Sequence, residues 1–172
     1  MADVIVERLT KSHDRTSFDC GVEELNDFLK TKARKHADQN VSVTWVAVER
    51  RESKILGFIT ATLGTISFDE APTTVTKGLP KYPLPVVHIG RLATDIQFQG
   101  RGIASLLLRA IAEETIDISN KIGCLGMELV ATNDQAYQYY LRRGFIVLSA
   151  KNLRLFMPVS VLKTVDHRAK GP

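Results

Sequence analysis

The chain is short of the residues that would commit it to a metal, a disulfide framework or a membrane. It has two cysteines, Cys20 and Cys124, in 172 residues. Neither stands at metal-ligand spacing, and two cysteines build no disulfide framework, so no metal site is expected. Both are expected reduced and partly buried, in a cytoplasmic protein. Apolar runs fall short of the roughly 20 residues that cross a bilayer, so no membrane segment is expected. The first residues, Met1-Ala-Asp-Val4, show no basic region ahead of an apolar stretch, so no secretion signal is expected there. A dominant charge is lacking too: 23 basic residues against 19 acidic leave +4. That balance permits a polyanionic partner without requiring one. There is no internal repeat, low-complexity tract or linker. What remains is an ordinary globular composition, 44% hydrophobic and 24% charged, in a chain long enough to bury a core. The expectation is one domain over residues 1–165 and a disordered tail over 166–172.

Hydrophobic patterning lays out the elements. Residues 4–8 alternate apolar and polar side chains and predict a first strand. Val22, Leu25, Phe28, Leu29, Ala33 and Ala37 form one apolar stripe and predict a helix. Glu23 and Glu24 open that helix and Lys32, Arg34, Lys35 and His36 close it, as the helix dipole favours. Those cations are either a solvated helix end or one edge of a polyanion surface. Residues 43–49 and 55–66 predict a hairpin across a charged turn, with Trp45 as a core or hairpin-face aromatic. Residues 69–85 carry four prolines and predict a long loop with one short turn, in a position where function often sits. A strand over 86–93, a helix to about Lys121, a strand over 124–131 and a helix from Asn133 to Gly144 follow. Two short strands, 145–148 and 153–157, and a short helix over 159–165 complete the chain. The order βαβββαβαββ predicts an α/β (α+β) domain, a mixed sheet with helices on both faces.

Residues 91–109 join a strand end, a glycine-rich turn and a helix start. Gln99-Gly100-Arg101-Gly102-Ile103-Ala104 has little bulk beside its backbone. Free N–H groups at a helix N-terminus suit an anion. The turn is not a Rossmann fingerprint, which needs a glycine or alanine where Ser105 stands. It is not a P-loop either, since no Gly-Lys-Ser/Thr follows. On these residues alone, a phosphate cradle and a bare strand-to-helix turn both fit.

A second segment narrows the choice. Gln99, Gly102 and Ala104 fill the pattern Gln/Arg-x-x-Gly-x-Gly/Ala. Asn133, Ala136, Tyr140, Gly144 and Phe145 fill Asn-x-x-Ala-x-x-x-Tyr-x-x-x-Gly-Phe without a gap. Together the two resemble the acetyl-CoA loop and final helix of the GNAT N-acetyltransferases. The resemblance implies the GNAT fold: a mostly antiparallel central sheet, helices on both faces and a splayed strand at the acetyl-CoA site. More narrowly, Phe18-Asp-Cys-Gly21 with Leu25, Phe28, Leu29 and Ala33 resembles the start of GNAT toxins from bacterial toxin–antitoxin pairs. Tyr82-Pro-Leu-Pro85 leading into Arg91-Leu92-Ala93, and the ending Leu153-Arg-Leu-Phe-Met-Pro158, are similar as well. That group is dimeric, acetylates the α-amino group of aminoacyl-tRNA to block translation, and pairs with a ribbon-helix-helix antitoxin. Thr94 departs from the group, which carries an apolar residue there. Gly90 and Ala104 stand where alanine and glycine are common. None of these removes a chemical group that the reaction needs.

The resemblance implies roles for single residues. Backbone N–H groups over Gln99, Gly100, Arg101, Gly102, Ile103 and Ala104 would hold the pyrophosphate of acetyl-CoA, with Arg101 a further charge contact or merely solvated. The backbone of Leu92, Ala93 and Thr94 would pair with the pantetheine arm. Asn133 either reaches the same arm or caps its helix. Tyr140 is the expected general acid. A phenol titrates near about 10 and a thiol near about 8.5, so the phenol keeps a proton to offer the departing thiolate. Arg91 would face the acceptor, with Arg142, Arg143, Lys32, Lys35, Lys77 and Lys81 as further candidate phosphate contacts. No general base is evident. His88 and Arg91 differ in parity along one strand and so face opposite sides, and His88 is read as structural. An α-amine titrates near about 7.7–8.0 and needs less help than a lysine near about 10.4, which favours an α-amine acceptor. The alternative is a GNAT enzyme acting on a small amine or a protein N-terminus, not a toxin. A GNAT-like module that binds the cofactor without turnover fits less well, given Tyr140 and the intact loop.

Overall fold

The computed structural model describes residues 3–169. Among the described residues seven strands hydrogen-bond in the order β1-β2-β3-β4-β5-β7-β6. They are β1 (Val4–Arg8), β2 (Val43–Glu49), β3 (Ile55–Ile66), β4 (Leu84–Thr94), β5 (Gly126–Val130), β6 (Ile146–Ser149) and β7 (Arg154–Pro158). The chain divides into two compact units, Met1–Thr62 with Gly90–Ile111, and Leu63–Ile89 with Ala112–Pro172. Among the described residues no helix is long and apolar enough to cross a membrane.

In the first unit β1 and β2 run antiparallel, Val4 opposite Glu49 through Arg8 opposite Trp45. The expected hairpin forms: β2 and β3 pair antiparallel from Val43 opposite Ala61 to Val48 opposite Ile55, with one irregularity at Ala47/Val48. The predicted helix is present as α1 (Glu23–Asp27), a π-helical turn (Phe28–Lys32) and α2 (Ala33–Asp38). The stripe explains why it lies down. Phe28, Leu29 and Ala33 are buried with Phe18, Val46, Val48, Phe58 and Ala93 in one apolar cluster. Phe28 stacks on Phe58 at 6.2 Å between ring centres, and Phe18 meets Phe58 edge-on at 5.5 Å. Each such side chain contributes about 1.5–3 kcal/mol by leaving water. Val22 is not part of the stripe: it precedes the first turn and is 49% exposed. Gly57, next to Phe58, points the other way, as alternation along a strand requires. A Cβ there would come within 2.7 Å of Ile103 Cγ2 and 3.1 Å of Leu107 Cδ1. Within this unit, α1–α2 and the start of α4 (Ile103–Lys121) therefore cover opposite faces of β3.

In the second unit β4 and β5 are parallel, with Val87, His88 and Ile89 opposite Met127, Glu128 and Leu129. β5 and β7, and β6 and β7, are antiparallel. Ile66, Leu84, Val86 and Phe156 form the apolar cluster. The long connection folds down onto it through Phe68, Ala71, Val75 and Leu79. Its one short turn is α3 (Thr73–Thr76), opened by Pro72. α5 (Asp134–Arg142) is close to its predicted extent. The last helix, α6 (Val159–Ala169), runs four residues into the segment expected to be a tail. The rest of that expectation, residues 170–172, lies outside the described residues.

Candidate active site

In the first unit the glycine-rich turn hangs from a buried carboxylate. Asp95, 2% exposed, follows β4 directly. Its Oδ1 accepts from Gln97 N at 2.9 Å and its Oδ2 from Asp19 N at 3.1 Å. Its own N–H donates to Leu56 O at 2.9 Å, and Ile96 N donates to Asp19 O at 2.9 Å. Asp19 in turn accepts from Gly21 N and Asn26 Nδ2, both at 2.8 Å. The bond from Gly21, then that from Asn26, holds its carboxyl below the usual range. The Phe18-Asp19-Cys20-Gly21 signature thus acts here as a clamp on the exit of β4, a role its residue types did not disclose.

Past a 3₁₀ turn (Ile96–Phe98) comes the turn itself. Gly100 and Gly102 hold φ of 75° and 82°, in the left-handed region. Nothing lies within 4 Å of a Cβ built at either, so backbone conformation rather than crowding calls for glycine. α4 then starts at Ile103 and runs 19 residues, leaving its first N–H groups to whatever stands before them. An open turn with two glycines at the positive end of a long helix fits a pyrophosphate. Ile103 is buried in the core, so only its backbone can meet a ligand. Gln99 Nε2 donates to Thr94 O at 3.3 Å, tying the two ends of the turn together. Arg101 lies over the Phe98 ring at 5.3 Å, and Lys54 Nζ lies 5.0 Å from the same ring. Arg91, on β4, sits 3.8 Å from the ring centre of Phe28, at the π-helical turn. That contact fixes Arg91 on the α1–α2 side, the side of Ala93, as parity predicts.

In the second unit Asn133 caps α5, its Oδ1 accepting from Ala136 N at 2.8 Å. Of the two roles open to it, the cap is made, and its amide nitrogen is what is left for another partner. Tyr140 is 8% exposed and meets Tyr139 and Phe145 edge-on at 5.3 and 5.4 Å. Burial, with a smaller push from Tyr139 and against an opposing pull from Arg143, raises its phenol to about 12. The Arg143 guanidinium lies 3.4 Å from the Tyr139 ring centre.

The second unit also holds a charged cluster that sequence reasoning missed. Glu128 on β5 is 3% exposed. Its Oε1 lies 2.5 Å from His88 Nδ1, and its Oε2 accepts from Arg154 Nε at 3.1 Å. Arg154 also donates to Thr65 O at 3.2 Å and pairs with Glu70 at 3.6 Å. Burial pushes the Glu128 carboxyl up, but the hydrogen bonds from His88 and Arg154 and their charges outweigh it, so it stays below the usual carboxylate range. Arg154 and Glu70 line a cavity of about 220 Å³ with Ile66, Ser67, Leu148 and Asn152. One signal was available: a lone acid inside Gly126-Met-Glu-Leu-Val130 and a lone histidine inside β4. Only the strand register joins them. Among the described residues no group of three or more His, Cys, Asp or Glu could hold a metal ion.

Comparison with known proteins bears on what these parts do. The sequence model of the Acetyltransferase (GNAT) domain matches residues 40–147. A tRNA-acetylating toxin of Mycobacterium tuberculosis is 30% identical over 150 residues, 87% of this chain and 89% of that protein. A Y-to-F mutant of KacT has a crystal structure that superposes with a TM-score of 0.89 at 28% identity, over 95% of this chain and 99% of KacT. AtaT complexed with acetyl-methionyl-tRNAfMet gives 0.88 at 27% identity, over 96% of this chain and 100% of AtaT. A second AtaT structure, a Y-to-F mutant, holds the C-terminus of the antitoxin AtaR and acetyl-CoA, with a TM-score of 0.80 at 25% identity over 95% of this chain and 98% of AtaT. The turn, the helix that follows it and the Asn133–Phe145 segment are therefore parts of an acetyltransferase, and the chain belongs to the GNAT family.

Proposed function

We propose that this acetyltransferase moves the acetyl group of acetyl-CoA to the α-amino group of aminoacyl-tRNA and so acts as a translation-blocking toxin. The observation that carries this reading is the likeness, over nearly the whole of both chains, to AtaT with acetyl-methionyl-tRNAfMet bound. The name of the M. tuberculosis relative supports it. The antitoxin bound to AtaT supports a protein partner, which we take to be of the ribbon-helix-helix type, acting on a homodimer in the cytoplasm.

Acetyl-CoA would be held by backbone: N–H groups over residues 99–104 for the pyrophosphate, and Leu92, Ala93 and Thr94 for the pantetheine arm, with the Asn133 amide nitrogen as a further donor. Arg91 would meet the acceptor. Tyr140 would serve the leaving sulfur. Its phenol near about 12 is fully protonated at neutral pH. A thiol titrates near about 8.5, so outright transfer from Tyr140 is uphill until the phenol is resupplied with a proton. Its first contribution is a hydrogen bond that strengthens as negative charge gathers on sulfur.

The test offers labelled acetyl-CoA with separate pools of charged tRNA, uncharged tRNA, polyamines and peptides. Label is expected on the amino acid of charged tRNA alone. Label confined to polyamines or peptides would instead mark a small-amine or N-terminal acetyltransferase.

A further inference from the structure

We propose that Asp95 and Asp19 are positioning residues for acetyl-CoA. They fix the strand end that would take the pantetheine arm at a set distance from the turn that would take the pyrophosphate. The proposal rests on the reading of residues 92–94 and 99–104 as the two halves of that site. Every residue it uses lies in the first unit.

A ligand with two binding points on one covalent frame makes a demand of the protein. Each half binds weakly by itself. The gain from joining them is kept only where the halves of the site stand at the ligand's own spacing. Here that spacing is set by residues 95–98, between the end of β4 and the turn. Burial does little to hold them. Between residues 95 and 102 only Asp95 is buried, and Ile96 is 52% exposed. Nothing lies within 4 Å of a Cβ built at Gly100 or Gly102. Glycines in open space add freedom to the chain, so its order has to come from elsewhere.

It comes from Asp95, a buried carboxylate with bonds in three directions. Its N–H donates to Leu56 O on β3 at 2.9 Å, which ties it to the sheet. Its Oδ1 accepts from Gln97 N at 2.9 Å and sets the entry to the 3₁₀ turn. Its Oδ2 accepts from Asp19 N at 3.1 Å, and Ile96 N returns a bond to Asp19 O at 2.9 Å. The end of β4 is thus latched to residue 19 by two bonds running in opposite directions.

The latch is itself anchored. Asp19 Oδ1 accepts from Gly21 N and from Asn26 Nδ2, both at 2.8 Å. Asn26 Oδ1 accepts from Cys20 N at 2.9 Å. Asn26 belongs to α1, and Phe28 and Leu29 just beyond it are core. A line of hydrogen bonds therefore runs from the packed helix through Asp19 to Asp95. On the exposed side, Lys54 Nζ donates to Gln97 Oε1 at 2.9 Å and Gln99 Nε2 to Thr94 O at 3.3 Å.

The two carboxylates differ in a way that an experiment can use. Asp95 spends one oxygen on each of two backbone N–H groups. Asparagine has a single acceptor oxygen, so whichever way its amide turns, an NH2 meets one of those N–H groups. Asp19 takes both of its bonds on one oxygen, and asparagine there keeps that oxygen.

The experiment measures by calorimetry the affinity of acetyl-CoA, of acetylpantetheine (the arm alone) and of ADP (the pyrophosphate without the arm). The proteins are the wild type, Asp95→Asn, Asp19→Ala and Asp19→Asn. Asp95→Asn is expected to weaken acetyl-CoA by about tenfold to a hundredfold, as a buried N–H left without its acceptor does. Acetylpantetheine and ADP should each change by less than about threefold, since each half of the site survives and only their spacing is lost. Asp19→Ala should weaken acetyl-CoA by about fivefold, and Asp19→Asn should recover most of that. The loss should fall on KM for acetyl-CoA and not on kcat. Equal losses for the whole cofactor and for both fragments, or no loss for the whole, overturn the proposal. A loss in Asp95→Asn with none in Asp19→Ala overturns the role of Asp19. Asp19 is exposed, so its two variants carry the test if thermal midpoints show that Asp95→Asn does not fold. Gly102→Ala separates the proposal from the reading beneath it. If Gly102→Ala weakens acetyl-CoA and the aspartate variants do not, the clamp alone fails. If all of them bind acetyl-CoA as the wild type does, the cofactor sits elsewhere and both fail.

Discussion

The first unit offers ligands its backbone, and the second offers side chains. In the first, the residues fit for acetyl-CoA are glycines at positive φ, the start of α4 and the open end of β4. The side chains nearby look after the fold: Ile103 is core, Arg101 lies over Phe98, and Asp95 and Asp19 hold the turn. In the second, an imidazole, a carboxylate and a guanidinium are buried or half-buried and polarise one another, and separately a phenol is buried beside Tyr139 and Phe145. The division has a physical reason. An anion is met most cheaply by N–H groups that the helix end leaves unpaired in any case. A proton must be held by a group whose environment sets its affinity, and that takes burial and partners.

The sharpest way to test the division is Tyr140→Phe. It removes one oxygen from the second unit and should leave the first untouched. Turnover is expected to fall by about 10²- to 10⁴-fold. Acetyl-CoA affinity, measured by calorimetry, should stay within about twofold, because the cradle of residues 92–94 and 99–104 is intact. Comparable losses in both would mean that Tyr140 supports cofactor binding, and the division would fail.

The same division decided what could be read from the chain. The glycine turn and the helix after it were legible because their demands fall on consecutive residues: a glycine run, then a helical stripe. The core was legible for a related reason, since Phe28, Leu29 and Ala33 show their spacing within six residues. The π-helical turn inside that helix was not legible, since the stripe reads the same with or without it. Tyr140 was singled out only through the resemblance; patterning could not choose among Tyr137, Tyr139 and Tyr140. The partners of His88 were hidden, because Glu128 is 40 residues away on β5 and that carboxylate's own counter-ion lies 26 residues further on. Strand register decides such meetings, and register belongs to the fold. The link from Asp19 to Asp95 was hidden in the same way, across 76 residues.

A smaller effect should separate backbone from charge within the first unit. Gly102→Ala forces a side chain into φ of 82° and should cost about 1–2 kcal/mol of loop conformation, roughly tenfold in acetyl-CoA affinity. Arg101→Ala removes a cation without touching the backbone. Its effect should be within about threefold and should fade with added salt. If the two were reversed in size, the turn would be an arginine site carrying a helix, and the contrast between the units would soften.

The smallest effect is expected in stability, at Glu128. Its folded-state carboxyl titrates below the ordinary value of 4.5, because His88 and Arg154 outweigh the cost of burial. A depressed folded value means the unfolded chain binds the proton more tightly. The stability from this group is therefore fully present above the unfolded value and is lost as pH falls through the folded one. Chemical denaturation at neutral pH and at a pH below 4.5 should show the wild type losing stability on acidification. Glu128→Gln has no carboxyl to protonate, so its own acid-induced loss should be smaller, although it starts lower because the Arg154 charge has lost its buried partner. A Glu128→Gln curve parallel to the wild type would mean that Glu128 is no better ionised in the fold than in water. The cluster would then be an ordinary polar contact, and the claim that the second unit tunes its side chains would stand on Tyr140 alone.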